Sequence, residues 1–262
     1  MFQNFDLSAL VDSPYQVGNV LTLRQTEQSE LLRVKIKKLQ QPWTLSCCMV
    51  VDVLSDSPDK AEETAFLKLY DWRFAAQQRS DQGLDPWTEQ SASDYAKFVL
   101  SGDADTFLQQ LKRPDDQWGQ YQETDENWDA VQDEVFLVHE ARNMYRNETT
   151  VYKRLGPLQG TTVPRLIDAV ELDIGPTNLD DENKKDLFKV QGILIEYISD
   201  GFTLRHIGSM VPAEALQGIV DQAVDIARSL GDHNVLNADV RIDNFIVTQT
   251  HESDQKYRVV MI

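Results

Sequence analysis

The spacing of apolar residues in this 262-residue chain switches between two periods, and the order of the switches restricts the folds open to it. Leu32, Val34 and Ile36 alternate with polar residues. After the break Gln40-Gln41-Pro42 come two further apolar runs, at 45–54 and 65–70. Successive side chains on a strand point to opposite faces, so these runs read as three strands, and the short polar connections predict antiparallel neighbours. Over 133–155 the spacing turns helical. Met144, Glu148, Val151, Tyr152 and Leu155 share a face, and Gly156-Pro157 stops the helix. Residues 163–172 and 189–198 read as two more strands around a charged loop at 173–188. Pro212 suits a first helical turn, and Ala215, Leu216, Ile219, Val220, Ala223, Ala227 and Leu230 come after it at helical spacing up to Gly231. A polar loop at 237–244 and a closing strand pair, 245–247 with 257–262, complete the order.

Two segments lie outside this pattern. Residues 1–30 form a mixed leader, with Leu7, Leu10 and Val11, expected to pack on the surface of the strands after it. Residues 71–132 interrupt the strand series with short helical candidates at 73–79, 91–100 and 105–111, separated by Gly83, Pro86, Gly102, Pro114 and Gly119. Ten acidic and two basic residues fall between Asp103 and Glu134, so the expectation here is a solvated, loosely packed insertion carrying Trp87, Trp118 and Trp128.

Charge narrows the classes of partner. Lys and Arg number 25 against 43 Asp and Glu, a formal net charge of -18. Such a field repels nucleic-acid phosphates and anionic lipid, which argues against both as partners; a protein partner meeting the acidic surface remains open. The densest basic run, residues 33–38, alternates with Val34 and Ile36 and reads as one strand face. No apolar stretch is long enough to span a bilayer, and residues 1–10 lack a basic region followed by an apolar core. Cys47 and Cys48 are the only cysteines, and adjacent thiols rarely bridge each other. Two reduced thiols imply a cytoplasmic or nuclear setting.

Chemistry is suggested at two places. Lys68 sits mid-strand in Phe66-Leu67-Lys68-Leu69, and Glu148 lies on the apolar face of the helix at 133–155. A carboxylate turned toward a core costs free energy unless a cation meets it, and Lys68 is the natural partner. Asp239 and Asn244 stand five residues apart, after a helix end and before a strand. That arrangement suits a base and a metal ligand offered by one loop.

The motif Asn237-Ala238-Asp239-Val240-Arg241-Ile242-Asp243-Asn244 resembles the catalytic loop His-x-Asp-x-x-x-x-Asn of the protein-kinase and aminoglycoside-phosphotransferase superfamily. With Phe66-Leu67-Lys68-Leu69-Tyr70-Asp71 and Ile195-Glu196-Tyr197-Ile198, it looks most like the divergent kinase-like proteins of filamentous fungi. The resemblance implies an α+β, protein-kinase-like fold: a five-stranded antiparallel small lobe at 31–198, then an incomplete helical large lobe at 199–262. It also implies ATP and Mg2+ as cofactors. By position it assigns Asp239 to the acceptor hydroxyl, Arg241 to the transferred phosphate and Asn244 to magnesium. Lys68 would take the nucleotide phosphates, Glu148 would hold Lys68, and Glu196 and Ile198 would meet the adenine through their backbones.

The chain departs from that pattern in four ways. The connection at 40–46 has no glycine, and Pro42-Trp43 does not let a backbone approach phosphates closely. Phe66 replaces a small residue against the adenine ring. Asn237 replaces the loop histidine. The sequence stops at Ile262, where the superfamily's Asp-Phe-Gly would come next. Three readings come out of this. The first is a pseudokinase or truncated kinase with weak or no phosphotransfer. The second is an active phosphotransferase in a longer chain, and the third a non-catalytic interaction protein using its acidic insertion.

Overall fold

Six strands close into an antiparallel barrel in the computed structural model, which describes residues 6–55, 63–111, 128–236, 239–250 and 256–262. They are β1 (Val20–Gln25), β2 (Leu31–Gln40), β3 (Cys47–Leu54), β4 (Glu63–Leu69), β5 (Leu166–Asp173) and β6 (Lys189–Glu196), in spatial order β1-β2-β3-β4-β6-β5. Register pairs such as Leu21 with Val34, Ile36 with Val51, Met49 with Leu67 and Leu67 with Leu194 stand side by side. All of these residues are 3% exposed or less, and Val170 of β5 is 0% exposed, so one face of every strand is spent filling the barrel. Burial of each such side chain contributes roughly 1.5–3 kcal/mol.

Around the barrel lie α1 (Ser8–Val11), α2 (Ala76–Asp81), α3 (Glu89–Ser101), α4 (Asp103–Leu111), α5 (Ala130–Arg154) and α6 (Glu182–Asp186). The chain ends with α7 (Ile207–Met210), α8 (Ala213–Asp232) and a three-stranded sheet of β7 (Phe202–Thr203), β8 (Phe245–Gln249) and β9 (Tyr257–Met261). The 25 residues of α5 span about 38 Å. Its start is set by a capping box in which Asp129 accepts from the first-turn amides and Gln132 reaches back to the Asp129 amide. Val135, Leu137, Val138 and Ala141 pack into the barrel-side core. Further along, Val151 and Leu155 join Ile219, Ala223, Ile226, Phe245, Val247 and Val259 in a second core. One helix therefore braces both cores.

This architecture corrects the expected five-stranded small lobe with an incomplete helical large lobe. The sheet has six strands and closes on itself, and the C-terminal part sets one long helix against a three-stranded sheet. The additional strand, β1, comes from within residues 1–30. Only Leu21 and Leu23 alternate there, too short a run to distinguish a strand from a loop by period. Pairing on both sides makes it a strand: Leu21 with Val34 on β2, and Arg24 and Gln25 with Glu171 and Val170 on β5. Closure also removes the exposed sheet edges that an open five-stranded sheet would present.

The expectation of a loosely packed insertion fails for its described part. Trp72, Tyr95, Ala92 and Val99 are buried, and Trp72, Trp87, Tyr95 and Phe188 form a chain of ring contacts. Tyr95 donates its hydroxyl to the Leu187 carbonyl at 2.6 Å, so the segment packs against residues nearly a hundred positions later. Residues 1–5, 56–62, 112–127 (with Trp118) and 251–255, and the expected histidine substitute Asn237, lie outside the described residues.

Two buried ion pairs tie these pieces together. Arg73 donates to Asp71 from Nε (2.9 Å) and Nη2 (2.7 Å), and from Nη1 to the carbonyls of Ala9 and Leu10. Arg79 makes a two-bond fork with Glu134 at 2.7 and 2.8 Å and donates to the Asp85 carbonyl.

Candidate functional site

Alternation along β4 decides which residues leave the barrel. Leu67 and Leu69 point inward, so Phe66, Lys68 and Tyr70 face outward. Register sets Cys48 of β3 and Ile193 of β6 on either side of Lys68. On α5, Tyr145, Glu148 and Tyr152 are spaced three and four residues apart and share one face. Lys68 Nζ lies 2.5 Å from Glu148 Oε2, and each side chain is 27% exposed. The Tyr70 hydroxyl donates to the same carboxylate oxygen. The Lys68 ammonium also stands 5.3 Å from the centre of the Tyr70 ring, which meets Tyr145 edge-on.

Burial dominates the titration of the surrounding groups. It pushes the Tyr70 phenol far above its ordinary value, and the Glu148 charge and hydrogen bond add to the shift. Tyr152 is raised by burial and then by Glu148. Burial likewise raises the Cys48 thiol; the hydrogen bond with Ser46 and the Lys68 charge lower it, but not enough to offset the burial. Cys48 is thus a protonated neighbour rather than a thiolate nucleophile. What remains is the Lys68 side chain, 27% exposed and tied to Glu148.

The polar loop before β8 forms a second group. Arg241 clasps the Asp239 carboxylate from Nε and Nη2, both at 2.6 Å. The Asn244 amide donates to the Asp239 carbonyl at 2.8 Å and to its carboxylate at 3.2 Å. These hydrogen bonds, Arg241's foremost, hold the Asp239 carboxyl below the usual range. Asp243 is bound by Arg205 and is lowered for the same reason. The Ile262 amide donates to the Asn244 carbonyl at 2.8 Å, fastening the loop to the end of β9.

The structure thus brings Lys68 to Glu148, and Asp239 to Arg241 and Asn244, as two groups on different elements. Glu196 ends β6, three positions along from Ile193, the strand partner of Lys68. Its carboxylate accepts the Arg165 amide at 3.1 Å and lies 3.4 Å from the Arg165 guanidinium. Ile198 is half-buried just beyond that strand. Sequence reasoning missed Tyr70 as a third member of the Lys68 pair, although period two alone puts it on the face of Lys68. It also missed the contact of Arg205 with Asp243, 38 positions apart, which no local signal announces.

Whether ATP and magnesium suit these residues can be judged from the donors present. Lys68 suits an anionic phosphate. The glycine-free connection between β2 and β3 is fastened elsewhere. Trp43 stacks edge-on against Tyr15, and the Trp43 and Thr44 carbonyls accept the Ala76 and Gln77 amides at the start of α2. Among the described residues, no group of three or more His, Cys, Asp or Glu side chains is placed to hold a metal ion. Asp239 is committed to Arg241, and the donor set does not fit magnesium. A cavity of about 660 Å3 between α3, α4 and the first turn of α5 is lined by Asp94, Lys97, Asp103 and Glu134. It is remote from Lys68, since Glu134 and Glu148 are about 21 Å apart along α5.

No protein-family model matches this chain, and neither does any curated protein. Among the described residues, no helix is long and apolar enough to cross a membrane.

Proposed function

We propose that this chain is a non-catalytic nucleotide-binding protein, a pseudoenzyme whose short motifs resemble those of phosphotransferases, in which Lys68 takes the nucleotide phosphates. The carrying observation is the Lys68 ammonium, held by Glu148 at the outer face of the barrel on a side chain that is 27% exposed. The weak or absent transfer chemistry is supported by the state of Asp239. A carboxylate clasped in a fork by Arg241 is poorly placed to accept a hydroxyl proton or to hold a metal. A reducing cytoplasmic or nuclear setting goes with this reading and is supported by the free thiols of Cys47 and Cys48. Adenine contacts through the backbones of Glu196 and Ile198 are part of the proposal and rest on the motif resemblance alone.

Calorimetric titration with ATP, ADP and adenosine, with and without Mg2+, tests this on the wild type and on Lys68→Met. The expected result is binding of ATP and ADP in preference to adenosine, little Mg2+ dependence, and loss of most affinity in Lys68→Met. Absence of ATP binding, or equal affinity in Lys68→Met, would overturn the phosphate role. Transfer of phosphate to any acceptor that Asp239→Asn abolishes would overturn the non-catalytic reading.

A further inference from the structure

The oxygen that holds Lys68 is shared. Glu148 Oε2 accepts from the Lys68 ammonium at 2.5 Å and from the Tyr70 hydroxyl, while the Tyr70 ring lies beneath the ammonium at 5.3 Å. Tyr70 is 3% exposed and stands two residues beyond Lys68, on the same outward face of the sheet. Its position does not depend on the ion pair. The backbone amide donates to the Gln191 carbonyl at 2.9 Å, and the ring is packed against Tyr145. Glu148, by contrast, reaches the site from a helix on a flexible stem of two methylenes. Of the two donors on its carboxylate, the phenol is the rigid one.

We propose that Tyr70 is a positioning residue of the nucleotide site: its hydroxyl fixes the Glu148 carboxylate and thereby sets how firmly Lys68 holds phosphate. This inference rests on the phosphate role of Lys68 argued above. One carboxylate oxygen offers limited charge to two donors. The share taken by the phenol is withheld from the ammonium, which keeps more of its attraction for a second anion. Removing the hydroxyl lets the carboxylate turn wholly onto Lys68, and phosphate then competes against a stronger internal partner. The phenol proton is available throughout the working pH range, because burial and the adjacent Glu148 charge oppose its loss.

Tyr70→Phe keeps the ring and its packing and deletes only the hydroxyl, so it separates positioning from bulk. The discriminating measurement is a double-mutant cycle of Tyr70→Phe with Glu148→Gln, read by calorimetric titration of ATP and by urea unfolding of the same four proteins. The expected result is a roughly tenfold loss of ATP affinity for Tyr70→Phe in the wild-type background, the scale of a hydrogen bond to a charged group. In the Glu148→Gln background the same change is expected to cost less than about twofold, because the group it acts through is gone. Equal loss in both backgrounds, or no loss in either, overturns the inference. If the unfolding cycle shows coupling while ATP affinity does not, the contact is structural only, which also overturns it. If the wild type binds no ATP at all, the phosphate role of Lys68 falls first and this inference with it. That outcome differs visibly from wild-type binding that Tyr70→Phe leaves unchanged.

Discussion

The pair formed by Asp71 and Arg73 is where a single substitution should do the most damage. Both side chains are 0% exposed. Asp71 receives two bonds from the Arg73 side chain, one from the Tyr15 hydroxyl at 2.6 Å and one from the Arg73 backbone amide. Burial by itself would lower the Arg73 pKa, but the charge and hydrogen bonds of Asp71 outweigh it and hold the guanidinium above its ordinary value. Arg73→Met fills similar space yet leaves the carboxylate buried with only neutral donors. An uncompensated buried charge of this kind costs about 3–5 kcal/mol. The orphaned carbonyls add little. Leu10 O retains the Trp87 indole donor at 3.0 Å, and the Ala9 carbonyl belongs to an exposed residue that water can reach. For a chain of this size the loss corresponds to a fall in Tm of roughly 10 °C. Urea denaturation followed by tryptophan fluorescence reads it directly. The triple variant Tyr15→Phe, Asp71→Leu, Arg73→Met removes the buried side-chain polar partners together, leaving only the Arg73 backbone amide without Asp71, and should regain stability to within about 2 kcal/mol of wild type. An Arg73→Met protein within about 1 kcal/mol of wild type would refute the reasoning, as would a triple variant no more stable than the single one.

The remaining predictions concern pH, packing and the polar loop. Burial raises the phenols of Tyr15, Tyr70, Tyr95 and Tyr152 above the ordinary value of 10.0, so above that pH the unfolded chain loses protons that the folded chain keeps. The stability they contribute is therefore complete below about pH 10 and lost above it, by about 1.4 kcal/mol for each phenol at pH 11. Urea midpoints at pH 8 and pH 11 should differ accordingly, Tyr95→Phe should shrink the difference, and a flat profile would contradict the burial argument. Gly192→Ala would put a methyl 2.5 Å from a Leu69 carbon and 2.6 Å from the Lys68 carbonyl, a position open only to hydrogen. Thermal unfolding should register a loss of about 1–3 kcal/mol, the usual cost of overpacking, and an unchanged Tm would mean the strands part easily there. Asp239→Asn should leave ATP affinity unchanged in calorimetry, because the loop of Asp239, Arg241 and Asn244 closes on itself. A clear loss of affinity would put Asp239 at the nucleotide.

Much of the secondary structure is legible in the sequence. Wherever an apolar period runs for five residues or more, as in β2, β3, β4, α5 and α8, the element lies close to its expected place. The physical reason is local: a repeat of two or of 3.6 has only one backbone geometry that gathers its apolar side chains on one face. The meeting of Lys68 with Glu148 is legible for a related reason, since each interrupts an apolar face with opposite charge and neither tolerates burial alone. The contacts that close the fold are not legible. Leu21 and Leu23 carry too short a period to declare β1, and the acid-rich run around α4 gives no sign that Phe107 and Trp128 meet edge-on.

Residue order alone thus dictates which faces must be buried and which charges need a partner. Closure of the sheet belongs to the folded chain, because it depends on β1 finding β5 some 145 positions away, at Arg24 and Glu171. So do the turn of Arg241 back onto Asp239 and the convergence of Tyr70 and Lys68 on one oxygen of Glu148. Hydrogen bonds of this kind depend on side-chain direction within about an ångström, and spacing along a chain carries no such information.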